Sequence, residues 1–154
     1  MAHAGTKLIS NNRKARFNYE LFDRLEVGIA LKGTEVKSLR EGKLNLGESY
    51  CRIEDDAQIY LVDAHIGQYG HGNVHNHEPT RPRKLLLHKR EILRLRSRVR
   101  EKGLTLVPTR AYFARGKVKL EIALAKGKQQ YDKRQAAKKR DTEREMRRAQ
   151  REGA

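Results

Sequence analysis

Three histidines and a glutamate lie close together in a segment rich in glycine and proline: His71, His75, His77 and Glu78. Imidazole and carboxylate groups at such spacing can converge on zinc. The signal is weak, because no cysteine lies nearby and histidines on a loop are more often solvated or close to a phosphate. We therefore expect neither a metal nor another cofactor. No nucleophile elbow, P-loop or HExxH motif occurs, so the sequence also predicts no catalytic activity.

Basic side chains form a larger chemical feature than the histidines. Residues 81–102 contain ten Lys or Arg and only two acidic residues, a density suited to contacts with phosphate groups. A solvated helix face is the alternative interpretation, because charged surface helices are common. The segments 1–16 and 126–154 are also basic. Three regions with the same sign of charge favour nucleic acid as the partner.

The overall charge supports this interpretation. The 154 residues include 35 Lys and Arg against 19 Asp and Glu, a formal net charge of +16, and such an excess repels itself unless a polyanion neutralises it. A membrane surface is the competing polyanion, but the basic segments lack the apolar face of an interfacial helix. No signal-peptide h-region and no apolar run of about 20 residues occurs. We therefore expect a cytoplasmic protein without a membrane partner.

Aromatic and sulfur-containing side chains are few. Tyr19 and Tyr131 adjoin polar chain and are candidates for base stacking, as aromatic residues beside basic segments often are. Core packing is the better explanation for the three phenylalanines, Phe17, Phe22 and Phe113. The single cysteine, Cys51, cannot form an internal disulfide and is expected to be a small buried side chain.

Alternating apolar residues predict a mainly β domain that positions these groups. About six short strands are expected, the clearest over residues 17–31, 49–54, 57–64, 104–113 and 117–125. Helices are predicted over 34–42, capped by Thr34, and over 85–102, ended by Gly103. Residues 67–82 follow neither the two-residue period of a strand nor the 3.6-residue period of a helix, and they are therefore predicted to form a long loop.

Short strands separated by turns favour a small closed barrel of the oligonucleotide-binding type with flanking helices. We expect three parts along the chain. Residues 1–16 form a flexible basic arm, residues 17–125 form the barrel, and residues 126–154 form a basic tail. The tail has almost no core-forming side chain, so it cannot fold by burial alone.

Four strings stand out: SNNRKAR (10–16), EVGIALKGTEVKSLREGK (26–43), RKLLLHKREI (83–92) and ALAKGKQQYDKR (123–134). In this order they resemble the landmarks of the bacterial small protein B family, from about residue 7 to residue 134. The resemblance implies a non-enzymatic protein that binds the tRNA-like domain of transfer-messenger RNA. With elongation factor Tu, such a protein delivers that RNA to stalled ribosomes and starts trans-translation.

The resemblance also implies roles for particular positions. A tail disordered when free becomes helical in the empty mRNA channel, near the rRNA of the decoding centre. Together with the basic residues beside them, the positions associated with RNA binding are Asn12, Arg13, Lys14, Arg16, Tyr19, Glu26, Lys37, Arg40, Arg83, Lys84 and Leu86. Those associated with the ribosome are Lys126, Gly127, Lys128, Tyr131, Asp132, Lys133 and Arg134. Tyr131 departs from the family's usual histidine, so a role that needs an imidazole there is in doubt.

Two other functions remain open at this point. A ribosomal protein or initiation-type factor with the same kind of barrel would have a similar composition, although the four strings argue against it. A metal-dependent nuclease would use the histidines of the 67–82 loop. RNA incubated with the protein and a divalent metal would stay intact with a binder and be cut by a nuclease.

Overall fold

The computed structural model describes residues 6–70, 75–128, 140 and 142–148 of the chain. Arg140 and residues 142–148 are helical. The other elements, in chain order, are β1 (Thr6–Asn11), α1 (Arg13–Asn18), β2 (Tyr19–Ile29), α2 (Gly33–Arg40), β3 (Leu44–Asn45), β4 (Tyr50–Ile53), β5 (Ile59–Val62), β6 (His65–Ile66), β7 (Arg83–Leu86), α3 (Lys89–Lys102), β8 (Thr105–Ala114) and β9 (Lys117–Gly127).

A closed ring of antiparallel strands forms the body of the described chain. The strands follow one another in the order β8, β4, β5, β7, β2 and β9, and β9 pairs again with β8. Strand β1 lies outside the ring and pairs with β8, while β3 and β6 form a separate small sheet. Closure leaves no free edge within the ring. The predicted mainly β fold with a closed sheet and flanking helices is confirmed.

The β8–β9 hairpin is the longest local pairing of the ring. Its turn residues Arg115 and Gly116 both have positive φ, of 52° and 76°, as tight hairpin turns that match the strand twist require. Ala114 pairs with Lys117 directly beside this turn. The two strands of this hairpin were predicted over residues 104–113 and 117–125 from the alternating pattern, and both are confirmed.

The two faces of the ring strands bury different residues. Inward side chains such as Leu106, Leu120 and Leu124 belong to the main core, whereas their outward neighbours Val107 and Ala125 belong to a second cluster. Because successive side chains of a strand point to opposite faces, the second cluster lies on the outside of the ring. Helix α1 covers it with Ala15.

Helix α3 packs on the main core through Ile92, Leu95 and Val99, and Gly103 ends it with a left-handed φ of 61°. The predicted start at residue 85 is wrong. Residues 83–86 are strand β7, paired with β5 and β2, and the helix begins only at Lys89. Consecutive leucines are compatible with a helix and with a strand. The pairing of residues 83–86 with distant strands makes this segment a strand.

The predicted flexible arm also differs from the structure. Thr6–Asn11 pairs with β8, and Ile9 packs against the core, so this part of residues 1–16 is a strand followed by α1. The predicted boundary at residue 125 is two residues too early, because β9 continues to Gly127 opposite Tyr19. Within the described residues, no helix combines the length and the apolar character needed to cross a membrane.

Candidate nucleic-acid interface

A platform on the outside of the ring contains three of the predicted RNA-binding residues. Gly28 of β2 lies between Leu86 of β7 and Lys119 of β9, which pair with it from either side. Leu86 is 52% exposed, although its neighbour Leu85 is buried in the core. A Cβ at Gly28 would lie 3.2 Å from the Leu86 Cβ. The Leu86 side chain therefore occupies the space that a side chain at Gly28 would need. It is exposed beside the cation of Lys119, and Lys84 is exposed on the same strand as Leu86.

Glu26 lies two residues before Gly28 and therefore on the same face of β2. Its Oε2 accepts a hydrogen bond from the hydroxyl of Tyr112 on β8. Burial and this hydrogen bond to a carboxylate raise the pKa of Tyr112, so its hydroxyl stays a proton donor. The other oxygen of Glu26 has no hydrogen bond within the described chain. The platform thus contains one oriented carboxylate.

Glu121 of β9 lies directly opposite Glu26 in the β2–β9 pairing. Two like charges in cross-strand positions repel each other, and the structure neutralises Glu121 separately. Arg110 Nε lies 3.5 Å and Arg24 Nη1 lies 3.9 Å from Glu121 Oε2. The same oxygen accepts a hydrogen bond from the hydroxyl of Thr109. Glu121 is therefore engaged within the chain, while Glu26 remains exposed.

Sequence reasoning missed three residues of this platform. They share outward positions on the long hairpin or the neighbouring strand: Arg24, Arg110 and Lys119. The available signal was the alternation itself, because polar residues between the buried positions of a strand must face outward. Two β-bulges, within residues 22–25 and 108–110, shift that alternation by one residue. The sequence does not mark those bulges.

Helix α1 forms an edge next to the platform. Asn12 begins it, with its Oδ1 accepting the Ala15 N–H at 3.1 Å. Its Nδ2 donates to Leu46 O at 3.0 Å and to Pro108 O at 2.8 Å. The residue is only 2% exposed, so it offers almost no surface for a direct contact, and its assignment to RNA binding stays a prediction. Asn12 instead fixes α1 to two neighbouring segments.

Basic groups from both ends of the chain meet along α1. Arg13, Lys14 and Arg16 are exposed, and Lys14 pairs with Glu48. Lys128 Nζ donates to Arg16 O at 3.3 Å, and the Lys128 N–H donates to Asn18 O at 3.0 Å. The first residues of the predicted tail, Lys126, Gly127 and Lys128, therefore belong to this edge. Tyr19 is half-buried against Ala15 at its base.

Helix α2 carries the remaining predicted cations. Lys37 and Arg40 are exposed on it, and Lys37 Nζ lies 5.5 Å from the ring centre of Tyr69 in the long loop. This distance is within the range of a cation–π contact. Lys43, just after the helix, donates to Gln68 O at 3.4 Å. The helix and the long loop together form a second basic area, joined to α1 through the segment that contains Leu46.

A buried ion-pair network fixes α2 to β7. Arg83 and Glu35 both have fully buried side chains, and Arg83 Nε lies 2.7 Å from Glu35 Oε2. Arg81 binds the other carboxylate oxygen. Burial alone would raise the pKa of Glu35, but hydrogen bonds from Arg81, the Lys32 N–H and Arg83 outweigh it and lower the pKa. The Arg83 side chain has no exposed surface in this structure, so its predicted role in RNA binding stays a prediction.

The histidine cluster does not form a metal site in the described residues. No group of three or more potential ligands is assembled there. His77 is 1% exposed, and its Nε2 lies 2.9 Å from Ile66 O while its Nδ1 lies 3.0 Å from Thr34 Oγ1. A carbonyl oxygen can only accept, so Nε2 carries a proton and donates it to Ile66 O. His71 lies outside the described residues.

The remaining tail residues cannot be assigned to this surface. Tyr131, Asp132, Lys133 and Arg134 lie outside the described residues, so their predicted role stays a prediction. Arg140, which is described, lies with its guanidinium 4.8 Å from the ring centre of Phe17 on α1. The tail and the α1 edge are therefore in contact in this structure.

Comparisons with known proteins agree on one family. The SmpB protein family model matches residues 9–152. An SsrA-binding protein of Magnetococcus marinus is 54% identical over 142 residues, covering 92% of this chain and 94% of its own length. Another, of Acidothermus cellulolyticus, is 55% identical and covers 95% of this chain and 91% of its own length. A chain in a solved structure described as "tmRNA-SmpB: a journey to the center of the bacterial ribosome" is 46% identical. It has a TM-score of 0.67 and covers 87% of this chain and 95% of its own length.

Proposed function

Since this chain belongs to the SmpB family, we propose that its platform and α1 edge bind the tRNA-like domain of transfer-messenger RNA. We further propose that the bound RNA is delivered to stalled ribosomes for trans-translation. Relatives are described as SsrA-binding proteins, and a structural neighbour as tmRNA-SmpB in the bacterial ribosome. The protein acts by binding rather than by catalysis, in the cytoplasm, with elongation factor Tu in the delivery complex.

The exposed Leu86 beside Gly28 and Glu26 is the observation that carries the proposal. A purely electrostatic RNA surface needs neither an apolar group nor a carboxylate, because phosphates are held by cations alone. Leu86 offers apolar contact, and Gly28 leaves the room that the Leu86 side chain occupies. This combination favours recognition of a particular RNA shape rather than of phosphates in general.

Glu26 supplies a specific acceptor within the basic surface. A carboxylate repels phosphates, so it is useful only toward a donor such as a ribose 2′-OH or a base amino group. The Tyr112 hydroxyl donates to one carboxylate oxygen of the exposed Glu26 and leaves the other available to a ligand. The cations around it, including Lys84, Lys119 and Arg110, would contact the RNA backbone and fix its position.

The basic C-terminal segment is proposed to act on the ribosome. Lys126 and Gly127 end β9 and Lys128 contacts α1, so these residues connect the RNA-binding edge with the tail. Residues 142–148 are helical and exposed, and they carry three cations and two acids rather than an apolar stripe. A helix of this kind gains most from a polyanionic surrounding such as the mRNA channel near the decoding centre.

The test is a titration of fluorescently labelled tRNA-like domain with two substituted proteins and two matched controls. Leu86→Asp and Glu26→Ala should each weaken binding by about tenfold or more, as substitutions at the centre of an interface do. Leu93→Asp and Glu101→Ala change the same residue types at exposed positions of α3 and should have little effect. Circular dichroism checks that all four proteins are folded. If the platform variants bind as tightly as their controls, the proposal is wrong.

A further inference from the structure

Glu26 is a carboxylate without a cation in a protein whose net charge is +16. It is exposed on β2, yet it forms no ion pair with any residue that the structure describes. Its one hydrogen bond within that part of the chain comes from the hydroxyl of Tyr112, which is a neutral group. A cation bound to the carboxylate would compete with donors of an RNA ligand, whereas a neutral hydroxyl leaves the charge in place.

Glu121 accounts for the two arginines of the platform. Arg110 Nε lies 3.5 Å from Glu121 Oε2, and Arg110 Nη2 lies 3.5 Å from Glu121 Oε1. Arg24 Nη1 lies 3.9 Å from the same Oε2. Glu121 faces Glu26 directly across the β2–β9 pairing. Both arginines are therefore engaged by Glu121 rather than by Glu26.

Tyr112 is held in a fixed place on β8. The residue is only 7% exposed, although it lies on the outer face of the ring. Leu8 of β1 and Lys119 of β9 pair with it on either side, and the Arg110 guanidinium lies 5.3 Å from the centre of its ring. A ring enclosed in this way has little freedom to rotate, so its hydroxyl is directed at one point. That point is the Glu26 carboxylate.

Lys119 is the cation from which Tyr112 separates Glu26. It pairs with Gly28, two residues from Glu26, so both side chains lie on the same face of the sheet. Diagonal neighbours in a sheet are within reach of each other when a side chain is long. In the structure the carboxylate is bound to the Tyr112 hydroxyl instead. Without that hydroxyl we expect Glu26 and Lys119 to pair, and both charges would then be lost to an RNA ligand.

The neighbours of Glu26 indicate which RNA donor it accepts. Proteins that read unstacked bases place them on exposed aromatic rings. The residues around Glu26 on the platform are Gly28, Leu86 and Lys119, and the ring of Tyr112 is covered. An A-form helix, by contrast, displays its 2′-hydroxyl groups in a wide and shallow minor groove. An exposed carboxylate on a sheet without a stacking ring therefore suits a ribose 2′-OH better than a base amino group.

We propose that Tyr112 is a positioning residue of the platform. It keeps Glu26 away from Lys119 and orients the free carboxylate oxygen to accept a hydrogen bond from a ribose 2′-OH of the bound RNA. Tyr112 itself does not contact the RNA. This inference rests on the proposed function and deepens it, because it states which chemical group of the tRNA-like domain the platform reads.

The experiment maps the 2′-OH groups on which binding depends. TRNA-like domains that each carry a 2′-deoxy nucleotide at one random position are mixed with the full chain. Bound and free RNA are then separated and sequenced. With wild-type protein, we expect one or a few positions at which a 2′-deoxy nucleotide weakens binding by about fivefold, as the loss of a single hydrogen bond does.

Tyr112→Phe removes only the hydroxyl. We expect it to weaken binding of the unmodified RNA by about fivefold and to abolish the sensitivity at the same 2′-deoxy positions. Glu26→Ala should abolish that sensitivity as well. The double variant should bind no more weakly than Glu26→Ala alone, because Tyr112 acts through Glu26. The matched control is Tyr50→Phe, which removes the hydroxyl of another strand tyrosine and should retain the wild-type affinity and pattern.

Three outcomes would overturn the inference. In the first, Tyr112→Phe retains the wild-type pattern of 2′-deoxy sensitivity, as a purely structural role of the tyrosine requires. In the second, Tyr112→Phe weakens binding further in the Glu26→Ala protein. In the third, no 2′-deoxy position affects wild-type binding, but inosine in place of guanosine does, which would assign the contact to a base amino group. Failure of the proposed function differs from all three, because wild-type protein would then not prefer the tRNA-like domain over an unrelated RNA hairpin.

Discussion

Replacing Arg83 by Met tests whether this arginine stabilises the fold or contacts RNA. In the structure Arg83 donates to Glu35 Oε2 at 2.7 Å, to Ala64 O at 2.7 Å and to Pro79 O at 2.9 Å. Met has a similar length and no donor. The substitution leaves one carboxylate oxygen and two carbonyl oxygens without these partners in a site with no exposed surface.

The loss should be large for a single substitution. Breaking a buried ion pair by removing one partner costs about 3–5 kcal/mol, out of a typical total stability of about 5–15 kcal/mol. Arg81 still binds the other oxygen of Glu35, so we expect a value near the lower end of that range. Arg81→Met is the matched comparison, because the Arg81 side chain is 24% exposed. We expect its cost to be about 1 kcal/mol, since water can replace part of the interaction.

The measurement is urea-induced unfolding at pH 7, together with a titration of the tRNA-like domain by the folded protein. We expect Arg83→Met to lower the free energy of unfolding by about 3 kcal/mol and to leave the RNA affinity of the remaining folded molecules within about threefold, a small change on the scale of affinities. The opposite pattern, with stability unchanged and RNA affinity reduced at least tenfold, would show that Arg83 contacts RNA and that the buried network is misassigned.

Three further predictions concern the pH dependence of stability and the C-terminal segment. Because the folded pKa of Glu35 is lowered from 4.5, its stabilising effect is present above that pH and is lost as the pH falls through the folded pKa. Urea unfolding between pH 7 and pH 3 should show this loss in the wild type and not in Glu35→Gln. A chain ending after Lys128 should bind the tRNA-like domain as the full chain does. A chain ending at Ala125 should bind it more weakly, because it lacks the contacts of Lys128 with Arg16 and Asn18. Equal affinity of the two shortened chains would contradict this. Replacing Asp132, Lys133 and Arg134 by Ala should leave the affinity for the tRNA-like domain unchanged and block peptide tagging on stalled ribosomes. Tagging is measured as transfer of alanine to the nascent chain, and normal tagging by the variant would contradict this prediction.

The parts of the fold that the sequence predicted well depend on short-range patterns. Strand β9 has an unbroken two-residue period and the hairpin turn contains Gly116, both of which are read directly from neighbouring residues. The same holds for the β4–β5 hairpin and for Gly103 at the end of α3. Cys51 was expected to be buried and is 7% exposed; burial raises its pKa to about 12.

The errors occur where distant segments decide the structure. Strand β1 is polar apart from Leu8 and Ile9, and it forms because β8, about 100 residues later, offers a pairing edge. Strand β7 was mistaken for the start of a helix for the same reason. Local propensity contains no information about a partner so far along the chain.

The site was predicted in composition but not in geometry. Asn12 and Arg83 are of residue types that are usually exposed, and only the structure shows that each is buried among partners from other elements. Glu26 and Leu86, 60 positions apart, become neighbours because β2 pairs with β7. Tyr112 joins them only through the bulge in β8, which moves its side chain to the outer face.

Site-specific photo-cross-linking tests the central claim most directly. A photoreactive phenylalanine analogue at position 86 would replace an exposed side chain and probe the platform at its centre, and the same analogue at Arg115, in the exposed hairpin turn, is the control. With full-length transfer-messenger RNA, position 86 should cross-link efficiently, and the cross-linked nucleotides should lie in the tRNA-like domain. Cross-linking from position 115 at equal efficiency, or cross-links from position 86 only outside that domain, would contradict the assignment of the platform as the RNA-recognition surface.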